Sequence, residues 1–268
     1  MKLSIRRARR VAGRFLWPVR VNRLLYLLRR LTHRWKLVHR AESALNQSVT
    51  VWQLGRERRL VFGDSVSQAA QSVVFTRGDW TQLRREYWGR ALQPPVELPL
   101  RPRVLVLGLG GGTMVRILHQ LTRPALMTVV ELDPVVVDVA FSHMGLAGLT
   151  DLDVRIGDVR DVLPALAGSE PYDLLFEDVF FDGLAANGIE QEEYLDALAA
   201  LVTSSGWLVF NRWFRDWGGK PIDSGQEQLA SALAGRFTVV ERVQVAQRWF
   251  NELVFAGRRR EASAEGTG

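Results

Sequence analysis

The chain of 268 residues contains no cysteine, so disulfides, thiolate metal sites and thiol nucleophiles are excluded from the outset. It has no apolar run of eighteen residues, the length a membrane-spanning helix needs. Its histidines are His33, His39, His119 and His143, scattered without the spacing of a metal-ligand set, so no metal is expected. A further shortage is local. The first forty residues carry thirteen Lys and Arg and not one acid, whereas the remaining 228 hold twenty-two basic and twenty-nine acidic side chains, a net of −7. The formal charge of +6 therefore belongs to an N-terminal arm on an acidic body, and a specific nucleic-acid partner is not expected.

Within that arm, from Arg14 to Arg40, apolar residues recur with a helical beat: Phe15, Leu16, Val19, Leu24, Leu25, Leu27, Leu28, Leu31, Trp35 and Val38. Arginines fill the gaps, and the run lacks the uncharged centre of a secretory signal. A basic amphipathic helix bearing Trp and Tyr suits an anionic membrane surface, here through residues 1–40. A helix packed on its own domain or a partner, its arginines solvated, fits equally well. The expected location is the cytoplasm, peripheral to the membrane if the arm acts on lipid.

The most informative stretch is Val104 to Pro134, VLVLGLGGGTMVRILHQLTRPALMTVVELDP. Val104–Leu107 is an unbroken apolar run, as expected of a parallel strand buried on both faces. It meets the glycine turn Gly108-Leu109-Gly110-Gly111-Gly112-Thr113, then a helical pattern, then a second apolar strand, Leu126–Val130, that ends on Glu131. Such a βαβ unit brings backbone N–H groups and a helix N-terminus up to a nucleotide, and an acid ending the second strand accepts from ribose hydroxyls. Dinucleotide enzymes share the arrangement, but their pattern has Gly or Ala where this chain has Thr113. The next two strands also end on acids, Asp158 and Asp178. Acids at three successive strand ends suit a nucleoside with a ribose, an adenine amine and a cationic sulfonium arm, such as S-adenosylmethionine or its decarboxylated form.

Around this unit, Val49–Leu54, Arg59–Phe62 and Ser72–Phe75 read as short strands, Asp79–Leu92 as a helix and Gln93–Pro102 as a proline-rich linker. Downstream come a helix over Pro134–Met144, a strand over Asp153–Ile156, a helix over Val159–Ala167 and a strand over Tyr172–Phe176. Helix Glu190–Val202, strand Trp207–Phe210, the loop Asn211–Lys220 and helix Ser224–Ala234 lead to two long strands, Phe237–Val245 and Trp249–Ala256. The expected fold is α/β: a Rossmann-like, seven-stranded, methyltransferase-type sheet with its last strand antiparallel, a small N-terminal β appendage and a basic helical arm. The corresponding divisions are 1–47 for the arm, 48–100 for the appendage, helix and linker, 101–257 for the nucleotide domain, and a disordered polar tail, 258–268.

With these pieces in place the chain resembles the spermidine synthase family, specifically its divergent spermidine synthase-like members, over roughly residues 48–256. The resemblance rests on a glutamine in the appendage (Gln71-Ser72, with Gln68 a rival), on Tyr87 in the following helix, and on VLVLGLGGG, VVELDP, IGDVRDVL and YDLLFEDVF in the family's order. Val106 stands two residues before the first glycine, where ordinary methyltransferases carry an acid and spermidine synthases an apolar residue. The resemblance implies S-adenosylmethionine or decarboxylated S-adenosylmethionine as co-substrate. It implies Gln71, Gly108, Gly110 and Gly112 beside the nucleoside, Glu131 on the ribose, Asp158 at the adenine amine and Asp178 facing the sulfonium arm. The implied reaction is transfer of an aminopropyl or methyl group to a small-molecule amine.

The same resemblance exposes departures. The family's gate loop reads D-x-x-D-P, whereas here Asp178-Val179-Phe180-Phe181-Asp182-Gly183 sets the second acid one residue late and lacks the proline. The family's GGGDG has Gly111 in place of its Asp, which leaves room beside the helix N-terminus for a donor carboxylate, and Tyr-His-Glu becomes Tyr87-Trp88-Gly89. Nucleotide binding survives this comparison better than polyamine chemistry. Asp178, with Asp182 or Glu177, is the base cluster available for catalysis, although Asp182 fits a solvated loop acid at least as well. The aromatic loop Trp213, Phe214, Trp217 either covers an acceptor, packs as a lid, or serves as an oligomer contact, as in a homodimer. The alternative in a different class is a non-catalytic nucleoside-binding protein tethered to a membrane or partner by its basic arm.

Overall fold

A computed structural model describes residues 34–68, 70–77, 80–93, 95–181, 184–185, 191–215, 220–222, 225–246 and 250–260. Most of the arm (1–33), Asp182, Trp217 and residues 261–268 of the expected tail lie outside them. Among the described residues no helix is long and apolar enough to cross a membrane.

The first unit is an antiparallel meander of β1 (Lys36–Ser43), β2 (Gln47–Leu54), β3 (Glu57–Phe62) and β4 (Ala70–Phe75), paired in that order. Strand β1 corrects the helical expectation for Lys36–Arg40. A bulge between Leu37 and His39 interrupts the two-residue alternation, so the local spacing mimicked a helix while pairing with β2 made a strand. Trp35 lies under the Arg59 guanidinium of β3, 4.5 Å from ring centre to cation. The expected helix over Asp79–Leu92 is instead a 3₁₀ turn, Trp80–Arg85, and a one-turn helix α1, Tyr87–Arg90, separated by extended Glu86.

The second unit follows in chain order. It comprises β5 (Arg103–Leu107), α2 (Thr113–Thr122), β6 (Leu126–Glu131), α3 (Pro134–His143), β7 (Leu152–Ile156), α4 (Val159–Leu166) and β8 (Tyr172–Glu177). A small hairpin of β9 (Phe180–Phe181) and β10 (Leu184–Ala185) precedes α5 (Glu192–Ala200) and β11 (Val202–Trp213). Helix α6 (Gln226–Arg236) and the strands β12 (Phe237–Ala246) and β13 (Phe250–Arg259) close it. The large sheet runs β12-β13-β11-β8-β5-β6-β7, with β13 inserted antiparallel between β11 and β12. This is the seven-stranded arrangement expected from the sequence.

Two boundaries differ. β11 runs on to Trp213, so Asn211 and Arg212 sit in the sheet and not in a loop. β13 reaches Arg259, which pairs with Phe237, so the expected tail from Arg258 begins as strand.

Alternation along β5 sends Val104 and Val106 to the core on one sheet face and Leu105 and Leu107 to the core on the other. A third apolar cluster joins the meander to α3 through Val49, Val51, Leu60 and Val74 against Val136, Val139 and Met144. A polar joint accompanies it. Asp133 caps α3 by accepting from Val135 N (2.8 Å), and also accepts from Ser43 Oγ and from Asn46 Nδ2 (2.7 Å) in the β1–β2 turn. The four-stranded unit is thereby fixed beside the carboxyl ends of β5 and β6.

Candidate active site

The site is built where parallel strands end and the chain turns back over the sheet. Gly108 leaves β5 at φ +91, and a Cβ there would lie 2.5 Å from the Asp178 carbonyl oxygen, so no larger residue fits. Asp178 N in turn donates to Leu107 O (2.9 Å), tying the exits of β5 and β8 together. Glu131 ends β6 and reaches back under the glycine turn. Its Oε2 accepts from Leu109 N (2.9 Å) and Gly110 N (3.3 Å), and its Oε1 from Asp133 N (3.0 Å). Burial raises its pKa, and the backbone N–H groups that it accepts from oppose the rise.

Strand β4 forms the wall facing this turn. Thr113, the residue that spoils the dinucleotide pattern, donates through Oγ1 to Val73 O (2.9 Å) and accepts from Val73 N (3.2 Å). Gly111 N donates to Ser72 Oγ (2.7 Å). A Cβ on Gly111 would lie 2.6 Å from Ser72 Cβ, so the room expected beside Gly111 is taken by Ser72. Gly89 is closed as well, since a Cβ there would come within 2.2 Å of Arg84 Cα. Gln71 is half-buried on β4, its carbonyl facing Gly110, whereas the rival Gln68 spends its side-chain carbonyl on Ser65 N within its own turn (3.1 Å).

Asp158 ends the turn after β7, caps α4 by accepting from Arg160 N (2.8 Å), and pairs with the Arg160 guanidinium (2.8 Å). The Arg160 partner holds its pKa below the usual carboxylate range. Asp178 is treated differently. Its Oδ1 accepts from Asn211 Nδ2 (2.6 Å), its Oδ2 from the Tyr87 hydroxyl (3.1 Å), and Asn251 Nδ2 donates to Asn211 Oδ1 (2.9 Å). One hydrogen-bonded chain thus crosses the ends of β8, β11 and β13 on one sheet face. Burial pushes the Asp178 carboxyl up to about 6, with the Asn211 hydrogen bond opposing. Burial, reinforced by Asp178, holds Tyr87 well above the ordinary phenol range, so it stays a hydrogen-bond donor.

Glu177, one residue before Asp178, points to the opposite face and forms a fully buried ion pair with Arg212. Above the site Phe180 lies 6.2 Å from Trp213, and Phe214 meets Phe250 of β13 edge-on at 6.0 Å. The structure sets Gly108, Gly110, Glu131 and Asp178 about the glycine turn with Gln71 on the wall, whereas Gly112 starts α2 at φ +74 against Leu146 and Asp158 is engaged with Arg160 at the start of α4. The sequence reading missed Ser72 as the filler of the Gly111 space, and the asparagines Asn211 and Asn251. Their one signal was polar residues placed inside otherwise apolar strands, VFNRW and FNELVF.

No family model matches the chain. Among curated proteins, the polyamine aminopropyltransferase of Vibrio vulnificus is 28% identical over 177 residues, 65% of this chain and 58% of that protein. The chain thus spans less than two thirds of that relative's length. Among solved structures, a probable spermidine synthase from Corynebacterium glutamicum aligns at TM-score 0.59 and 17% identity, over 87% of this chain and 83% of its own. Human methyltransferase-like protein 13 in complex with SAH aligns at TM-score 0.52 and 22% identity, over 70% and 84%. Sequence and fold point the same way: the chain is similar to a polyamine aminopropyltransferase and shares the fold of spermidine synthase and methyltransferase structures.

Proposed function

We propose that the chain is a sulfonium-dependent transferase in which Asp178 takes the proton from an amine acceptor. The observation that carries this reading is the carboxylate itself: buried, poised near pH 6, and aimed by Tyr87 and Asn211 at the carboxyl end of β8. The glycine turn fits an S-adenosyl nucleoside, because Gly108 brings bare backbone against the crevice and Glu131 presents a carboxylate under the turn. Gln71, Gly110, Gly112 and Asp158 complete the proposed nucleoside contacts. When bound, the nucleoside supplies an electrophilic carbon on its sulfonium. The chain's own work is to align the amine, deprotonate it and exclude water.

Packing favours methyl over aminopropyl transfer. Of the three positions at which the resembled family carries acids for amines, the gate-loop acid is displaced and the other two are Gly89 and Gly111, neither of which accepts a Cβ without a shift. Among the described residues Ser72 Oγ accepts from Gly111 and donates to no neighbour, so its hydroxyl suits a donor carboxylate better than a donor ammonium. S-adenosylmethionine is accordingly expected to be the working donor. The test is turnover of each donor with a pool of monoamines and diamines. Consumption of the decarboxylated donor alone would restore aminopropyl transfer. Binding of S-adenosylhomocysteine with neither donor consumed would leave a non-catalytic nucleoside-binding protein.

Glu131→Gln should weaken S-adenosylhomocysteine binding about ten- to a hundredfold by calorimetry, the cost of losing a charged acceptor for ribose hydroxyls. The amide keeps one carbonyl oxygen for the loop N–H groups, so its thermal unfolding should stay closer to wild type than that of Glu131→Ala. Unchanged affinity would remove Glu131 from the nucleoside site.

A further inference from the structure

At the amino-terminal ends of the parallel strands, the residues leading into β5, β6 and β7 frame a cleft of about 570 Å³, lined by Arg101, Arg116, His119, Arg123 and Asp151 among others. The glycine turn and Asp178 stand at the carboxyl ends of these parallel strands, so this cleft is separate from the nucleoside crevice. Its lining is net positive, three arginines to one acid. Among the described residues, none of the three arginines has a carboxylate partner, whereas Arg103, Arg155, Arg160, Arg236 and Arg242 of the same unit each face one.

Arg116 is the telling member. It is half-buried, lies over Gly145, and among the described residues its one hydrogen bond runs from Nη1 to Met144 O (3.2 Å). Burial lowers its pKa with no anion to oppose the effect. The cleft's acid, Asp151, accepts from Thr150 Oγ1 (3.1 Å) and not from an arginine. Arg101 and Asp151 lie just before β5 and β7, and Arg123 is the left-handed C-cap of α2 before β6, so the lining comes from three separate strand entries.

We infer that this cleft is a binding site for a small phosphorylated anion of nucleotide size. Guanidinium forks match phosphate oxygens two at a time, and three of them suit a ligand with more than one phosphate charge. The volume lies in the range of small-molecule sites, and Leu149 with Pro124 offers an apolar wall for the ligand's uncharged part. The inference is independent of the transferase reading.

The experiment titrates pyrophosphate and ATP into the full chain at physiological salt by calorimetry, alongside Arg101→Gln/Arg123→Gln and Arg116→Gln/Arg123→Gln. The first pair alters exposed side chains and leaves the core untouched, so it remains informative if loss of Arg116 disturbs folding. Because the basic arm is the same in all three proteins, differences between them report on the cleft. Saturable ATP binding, weakened at least tenfold in both variants and unaffected by saturating S-adenosylhomocysteine, is expected. Equal binding by all three proteins, no binding of either probe, or displacement by S-adenosylhomocysteine would overturn the inference. So would a single-stranded oligonucleotide that binds more tightly than ATP and is lost in the same variants, since the site would then belong to nucleic acid.

Discussion

Asp178→Asn is expected to reduce transfer about a hundred- to ten-thousandfold while changing S-adenosylhomocysteine affinity little, because general-base catalysis contributes on that scale. The substitution keeps the shape. An amide oxygen at Oδ2 still accepts from Tyr87, while the amide nitrogen at the Oδ1 position meets the Asn211 donor, so unchanged S-adenosylhomocysteine affinity is what ties the loss of rate to basicity and not to a collapsed site. Wild-type activity should rise with pH through about 6, as the carboxylate ionises, and the variant should lack that step. Stability moves the other way. The folded pKa lies above the ordinary aspartate value, so the folded state holds its proton more tightly than the unfolded one. Stability from this group is present at low pH and lost as pH rises from about 4 to about 6, by up to about 3 kcal/mol. The asparagine variant should show a flatter stability profile across that window. More than a tenth of wild-type turnover in Asp178→Asn would exclude Asp178 as the base.

The elements legible in the sequence were those whose pattern is dictated locally. Val104–Leu107 could only be a doubly buried strand, and the glycines after it could only be a turn under close backbone approach. The acids Glu131, Asp158 and Asp178 were legible because each closes an apolar run. What was hidden depends on partners far away in the chain. Lys36–Arg40 looks helical until β2 pairs with it across a bulge. Gly111 looks like open space until β4 brings Ser72 within reach, and Gly89 looks like a lost acid until the 3₁₀ turn folds Arg84 against it. Arg212 looked like a loop cation because nothing before it marks β11 as long enough to bury it. The arginine cleft assembles three strand entries that no local window spans.

The buried pair behind the site makes the second strong prediction. Arg212 is fully buried, stacks over Phe210 with its guanidinium 5.0 Å from the ring, and donates through Nη1 to Glu177 and to Asn211 O (2.7 Å), while its Nε and Nη2 find no partner among the described residues. Phe210 and Glu177 are register partners of β11 and β8, so the pair locks the two strands whose next residues, Asn211 and Asp178, are hydrogen-bonded to each other at the proposed site. Arg212→Met should cost about 3–5 kcal/mol at neutral pH, because it strands the Glu177 carboxylate in an apolar layer. That deficit should shrink in acid. Burial already raises the Glu177 pKa against the pull of Arg212, and removing Arg212 raises it further, so the folded variant binds the proton more tightly than the unfolded chain. Its stability is therefore kept at low pH and lost as pH rises through that raised value. Glu177→Gln should behave differently, since it strands a guanidinium that cannot be deprotonated and its deficit should persist in acid. The double variant, Glu177→Gln with Arg212→Met, should recover most of the loss, because no buried charge remains. Denaturant unfolding of all four proteins at pH 5 and pH 8 separates these outcomes. Additive losses in the double variant, or an Arg212→Met deficit of equal size at both pH values, would show that the two residues do not act as an ion pair. In that case the locking of β8 to β11 would have to come from apolar packing around Phe210.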